Sequence, residues 1–146
     1  MTAQAAIVPE PAPPEHCVIV VDEGLAPGLA ANAAAVLALT LGARAPTLVG
    51  EDFRDADGES HPGLIPFGLP VLRAPRNELA ALRERARAAG LDVLGFPTFG
   101  QQTNDYAEFR ARVARVPTAR LQYLGLAVCG PRRAVRKLTG SLPLLR

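Results

Sequence analysis

Two hydrophobic periods alternate along the chain and divide it into elements. Cys17 to Asp22 (CVIVVD) is a short β-branched apolar run ending in a carboxylate, which predicts a strand in the middle of a sheet. Leu29 to Leu41 is apolar on all sides except Asn32 and Thr40, and apolarity all round predicts a buried helix, stopped by Gly42. Thr47–Val49 and Leu64–Leu72 read as strands flanking an acidic loop that turns at Asp57-Gly58. Pro66 and Pro70 make the second an edge or irregular strand. Asn77 caps a helix to Ala89, with Leu79, Leu82 and Ala86 as its core stripe, arginines on the wet face and Gly90 as the stop. Leu91–Phe96 is another strand. Asp105 and Glu108 have capping-box spacing and open a helix with the stripe Tyr106, Phe109, Val113, Val116. Leu121–Cys129 is a long strand, and Gly130-Pro131 starts a last helix, with proline at its first position, that Gly140 closes.

Strands alternating with helices predict an α/β fold, a three-layer α/β/α sandwich around a mixed, mostly parallel sheet. At 146 residues one core suffices. The domain is expected over residues 16–146, with residues 1–15, carrying Pro9, Pro11, Pro13 and Pro14, as an extended or disordered arm. There is no Trp and aromatics are few, so alanine and leucine must fill the core and the elements must approach closely.

Ala33–Leu39, the longest apolar stretch, is far short of the roughly 18 residues of a spanning helix. No secretory leader is evident, so a cytoplasmic protein without a membrane partner is expected. Cys17 and Cys129, both in predicted strands, read as buried free thiols. Net charge is only +2, but its distribution is lopsided. All 14 acidic residues lie at or before Glu108, and eight arginines and one lysine follow Phe109. An anionic partner for the C-terminal third would explain this. With 15 arginines against one lysine, a coding bias and solvated helix faces explain it too.

CVIVVDEGLAPGLAANAAAV, a strand with an acidic end, a glycine-containing loop and a small-residue helix, resembles the opening of the type II peptidyl-tRNA hydrolases. YLGLAVCGPRRAVRKLTGSLPLL is similar to their closing strand, Gly-Pro, helix and Thr-Gly-x-Leu ending. From about His16 to Arg146 the chain more closely resembles the bacterial domain-of-unknown-function family numbered 2000, which shares that fold. GLAANAAAVL, HPGL, GQQTNDY and GPRRAVRKLTGSLPLL stand here together. The resemblance implies a fold similar to type II peptidyl-tRNA hydrolase. It does not imply their reaction. Those enzymes place a lysine at the start of the first helix, then a glutamine and a histidine. Here Asn32 matches the glutamine, Ala35 the histidine, and no lysine precedes Lys137.

Three residues are candidates for catalysis. Asn32 is a lone amide in the first turn of an apolar helix, near the strand end where α/β sheets bind ligands. It could donate to a developing oxyanion or hold a carbonyl, and a satisfied core asparagine is the competing reading. Asp22 could act as a general base, or simply end its strand in solvent. Thr103 belongs to the run Gln101, Gln102, Thr103, Asn104, four hydrogen-bonding side chains of which capping explains one or two. The others, with Tyr106 from the next turn, would bind substrate. Arg132 and Arg133 follow Gly130-Pro131, where free amides, the helix dipole and guanidinium forks suit an anion.

No cofactor or metal is expected. There is no Walker loop, dinucleotide fingerprint or G-x-S-x-G, and His16 and His61 are isolated. Gly58 is misplaced for a calcium loop in the run Asp52, Asp55, Asp57, Glu59. The leading expectation is an enzyme acting on a small carbonyl, ester or amide compound, an anion among them, in a pocket around Asn32. A non-catalytic ligand-binding or regulatory module on the same fold is the alternative, and a homodimer is compatible with either. An RNA binder ranks last, because only Phe109 and Tyr123 follow the acidic residues as aromatics for stacking.

Overall fold

The computed structural model describes residues 14–146. The proline-rich arm predicted for residues 1–15 therefore lies, up to residue 13, outside the described residues. The elements are β1 (His16–Asp22), α1 (Pro27–Arg44), β2 (Phe53–Arg54), β3 (Ser60–His61), β4 (Val71–Ala74), α2 (Arg76–Ala88), β5 (Asp92–Pro97), α3 (Tyr106–Val113), β6 (Tyr123–Gly130) and α4 (Arg132–Thr139). Short 3-10 turns occupy Pro46–Leu48, Thr98–Gln101 and Thr118–Arg120.

β1 is buried on both faces, as its unbroken apolar run requires. Val18 and Val20 point to one side and pack with Leu79, Leu82 and Ala86 of α2 and Val135 of α4. Ile19 and Val21 point to the other and pack with Ala30, Ala33 and Leu37 of α1. Each Val, Leu or Ile side chain among them, removed from water, contributes about 1.5–3 kcal/mol before entropy is counted. Helices on both faces of one sheet make the α/β/α sandwich.

The sheet order is β4-β1-β6-β5. β1 and β4 are parallel, and β6 is antiparallel to both β1 and β5. The sheet is thus mixed but not mostly parallel. Three strands run the same way, and the reversed one lies between two of them. A mostly parallel sheet would need crossover connections throughout. The α3 connection instead stays at one sheet end, joining the C-terminal end of β5 to the start of β6.

Several boundaries also shift. α1 opens at Pro27 and runs through Gly42 to Arg44, so that glycine is not a stop. Only Ala30, Ala33, Leu37 and Leu41 are buried on α1, while Leu39 is 78% exposed. The helix buries one face and presents an apolar one. Thr47–Val49 is no strand: Pro46 starts a 3-10 turn there. Of Leu64–Leu72 only the end becomes strand, since prolines break the ladder before Val71. Pro75, not Asn77, sits at the cap of α2, and Pro131 caps α4 rather than being its first residue, so that helix starts one residue later than expected. Gly90, at φ +74°, ends α2 in the left-handed region where a side chain is disfavoured. The exposed side of β4 is covered by the C-terminal tail, through Arg73 N–H to Pro143 O at 2.9 Å and Leu145 N–H to Val71 O at 2.9 Å.

Small residues let α1 lie close to the sheet. Ala30 and Ala33 are buried among Ile19, Val21 and Leu37, and Gly125 leaves room for Leu37: an added Cβ there would come 2.9 Å from the Val20 carbonyl oxygen and 3.0 Å from Leu37 Cδ1. Enlarging this contact should therefore overpack it. Ala33→Leu is expected to cost about 1–3 kcal/mol, read as a lower urea midpoint with an unchanged slope.

Candidate functional site

A groove of about 350 Å³ opens between α1 and the edge strand β5. Val36 and Leu37 form one wall, Leu94, Phe96 and Pro97 the opposite one, and Tyr106 and Phe109 of α3 close the end. The α3 connection can fold back here because Gly100 has no side chain. A Cβ at that position would lie 1.8 Å from Phe96 Cε2, so the Phe96 ring rests on the glycine itself. Tyr106 stacks on Phe109 with centroids 5.7 Å apart and is 73% exposed, so its ring makes an outer rim.

The loop leading into α3 is held by the side chains that the sequence singled out. Gln101 Nε2 donates to the Leu29 carbonyl at 2.8 Å and to Asn32 Oδ1 at 3.2 Å, latching the loop to the first turns of α1. Asp105 caps α3 by accepting from the N–H groups of Ala107 and Glu108 at 2.9 and 3.2 Å. Thr103 Oγ1 accepts from Asp105 N–H at 3.0 Å and donates to Glu108 at 2.9 Å. That hydrogen bond, and then Arg112, holds the Glu108 carboxyl below its ordinary pKa. Gln102 Oε1 accepts from Arg112 at 3.2 Å. Asn104 lines the groove and makes no side-chain hydrogen bond among the described residues.

The proposed residues thus divide. Thr103, Asn104 and Tyr106 line the groove, and Gln101 and Asn32 are bonded to each other beside it. Asn32 itself is exposed and stands one turn before Val36, beyond the groove wall. Asp22 lies on the other face of the sheet. It is 4% exposed, accepts from Gly24 N–H at 2.9 Å and is paired with Arg76 Nε at 2.6 Å. Arg132 and Arg133 are at the opposite end, because Gly130 pairs with His16 while Gly125 pairs with Val21. The start of α4 already meets an anion from the chain itself: Arg132 N–H donates to the Glu15 carboxylate at 3.2 Å. Burial, with Arg132 and Arg136, depresses the His16 imidazole pKa at this end.

The arrangement can hold an apolar body and hydrogen-bond its end. Thr40 donates to the Val36 carbonyl at 2.8 Å, and Thr103 and Asp105 are engaged in capping α3. The Asn104 amide and the Tyr106 hydroxyl are left to face a ligand. Among the described residues, no Lys or Arg lines the groove. Sequence reasoning missed Val36, Thr40, Leu94, Phe96 and Phe109 as groove walls. One signal was available: Asn32, Val36 and Thr40 are spaced i, i+4, i+8, which places the only polar residues of the Leu29–Leu41 stretch on one face.

The model of the DUF2000 family, described as a protein of unknown function, matches residues 15–146. The chain belongs to this family. Its fold is similar to the solved structure of Atu0240, a protein of unknown function from Agrobacterium tumefaciens strain C58. The TM-score is 0.79 at 20% identity, over 88% of this chain and 95% of that one. No curated protein matches the chain.

Away from the groove, this DUF2000 chain closes a small hairpin between β2 and β3. His61, expected to be isolated, folds back on Asp55, with Nε2 2.9 Å from Oδ2. The ring stacks on Phe53 at 5.3 Å and 14°. Asp55 Oδ1 accepts the N–H groups of Asp57 and Glu59, both at 3.0 Å. The acidic run thereby closes a turn, and Gly58 takes φ +84° within it. His61, and then the Glu59 N–H, hold the Asp55 carboxyl below its ordinary pKa. A lowered folded pKa means that the contact is complete above the unfolded value of about 3.9 and is lost as pH falls through the folded one. His61→Ala should move the Asp55 midpoint up toward the ordinary value in a carboxyl NMR titration. An unmoved midpoint would remove His61 as the main cause.

Proposed function

We propose that this protein binds a small, neutral, largely apolar molecule bearing a carbonyl, ester or amide group, and that the groove serves binding rather than catalysis. The observation that carries this reading is an apolar-walled groove without a free general base. Asp22, the carboxylate expected to act as base, is paired with Arg76 on the far side of the sheet. Thr103 and Asp105 are held by the first turn of α3. Asn32 is bonded to Gln101 rather than aimed into the groove. A volume of about 350 Å³ is within the range of small-molecule sites, where apolar walls supply affinity and a few polar groups fix orientation. The Asn104 amide can donate to a carbonyl oxygen.

Electrostatics argue against an anionic ligand in this groove. Asp105 lines it and, among the described residues, no cation does, so a carboxylate would be desolvated without compensation. A panel of small neutral amides and esters, each beside its carboxylate analogue, tests the reading by NMR. The neutral members should shift the signals of Val36, Leu94, Phe96 and Phe109, and the carboxylates should bind more weakly. Val36→Phe should fill the groove and weaken binding at least about tenfold, or roughly 1.4 kcal/mol, without unfolding the protein. Shifts confined to Arg132 and Arg133 would sink the reading in favour of an anion site. Turnover of an ester by the purified protein would restore the catalytic one.

A further inference from the structure

The two cysteines take no part in the groove, yet they face each other. Cys17 of β1 and Cys129 of β6 are direct register partners. The backbone hydrogen bonds decide what kind of partners. Ile19 N–H bonds to Pro70 O at 3.0 Å and Glu23 N–H to Ala74 O at 2.9 Å, both on the β4 side. Odd-numbered residues of β1 thus turn their backbone groups away from β6, and even-numbered residues turn toward it. Cys17 and Cys129 form a non-hydrogen-bonded pair, the kind whose Cα atoms lie about 4.5 Å apart and whose side chains are closest. Disulfides accept Cα separations of about 4.4–6.8 Å, so this pair sits at the short limit.

Both thiols are free and buried, at 0% and 2% exposure. Leu41 and Leu48 cover them, with Leu94 packed alongside. The hydrogen bond from Cys129 lowers the Cys17 pKa against the effect of burial, and raises that of Cys129. That contact favours the thiolate at Cys17 over Cys129.

We propose that Cys17 and Cys129 are a site of reversible oxidation, where a peroxide converts the facing thiols to a cross-strand disulfide. The Cys17 thiolate attacks one peroxide oxygen and the O–O bond breaks. Hydroxide leaves and is protonated to water, and Cys17 becomes a sulfenic acid, oxidised by two electrons. Cys129 then attacks the Cys17 sulfur. The S–S bond forms, the S–O bond breaks, and the departing hydroxide takes the Cys129 proton as a second water. The balance is two thiols and one hydrogen peroxide to one disulfide and two waters. Hydrogen peroxide is little larger than water and enters through local opening of the covering segment. A disulfide at the short limit of separation is strained and more easily reduced, so thiols reverse the step.

The test uses the full chain treated with hydrogen peroxide, then denatured, alkylated and weighed intact. The expected result is a mass lower by two hydrogen atoms, with both alkylatable thiols lost, no covalent dimer, and full recovery in dithiothreitol. Cys129→Ser should stop at a Cys17 sulfenic acid trapped by dimedone, and Cys17→Ser should react more slowly than the wild type. The wild-type measurement stands even if a variant does not fold. Two thiols still alkylatable after a dose that oxidises free glutathione would overturn the proposal. Sulfinic acid at Cys17 in place of the disulfide would do the same.

Discussion

The reversed strand β6, lying between β1 and β5, is the constraint on which the other features depend. A strand antiparallel to both neighbours must begin where they end. The connection from β5 therefore cannot cross the sheet, and its 3-10 turn, loop and α3 stay at the C-terminal end of β1 and β5. That end is where α1 also begins. The groove is the space left when this connection folds back against α1 over Phe96 and Gly100. The same reversal sends α4 to the opposite end, and sets Cys17 against Cys129 by register alone.

Packing explains why α1 has two characters. Its inner face buries Ala30, Ala33, Leu37 and Leu41, and Leu37 already reaches Gly125, where an added Cβ would come 3.0 Å from its Cδ1. A helix this close to a sheet can bury only a narrow stripe. Leu29, Val36 and Leu39 then remain outside although the sequence is apolar all round. Val36 is the consequence that matters, because it converts surplus apolar surface into a groove wall.

How much was legible in the sequence follows from where the information is local. β1, the stripe of α2 and the Asp105 cap depend on period and capping chemistry within a few residues, and the structure keeps them. The direction of β6 depends on whether α3 crosses the sheet, and eight helical residues read alike in either role. Asp22 was legible as a strand end. Its partner Arg76, 54 residues away, was not, and that partner already engages the carboxylate. The cluster at Gln101–Asn104 was legible as an excess of polar side chains. Its division into a latch, a cap and one open amide needed the positions of Leu29, Asn32, Glu108 and Arg112. The Asp55–His61 clasp was within reach of local reasoning, since only a hairpin separates the two.

Charge and groove prove to be separate matters. The basic excess after Phe109 suggested an anionic partner, but Arg132 and Arg133 are displaced from the groove by the length of the sheet. Of the earlier members of the run, Arg112 is bonded to Glu108 and Gln102. At α4, the Glu15 carboxylate already occupies the position an incoming anion would seek, so that anion must displace a tethered competitor at high effective concentration. An exposed guanidinium pair also loses attraction beyond about 8 Å at physiological ionic strength. The net positive end therefore adds a diffuse field. In the binding role proposed above, selectivity would rest instead on the neutral walls of the groove and on Asn104, where desolvation penalises charge and rewards shape.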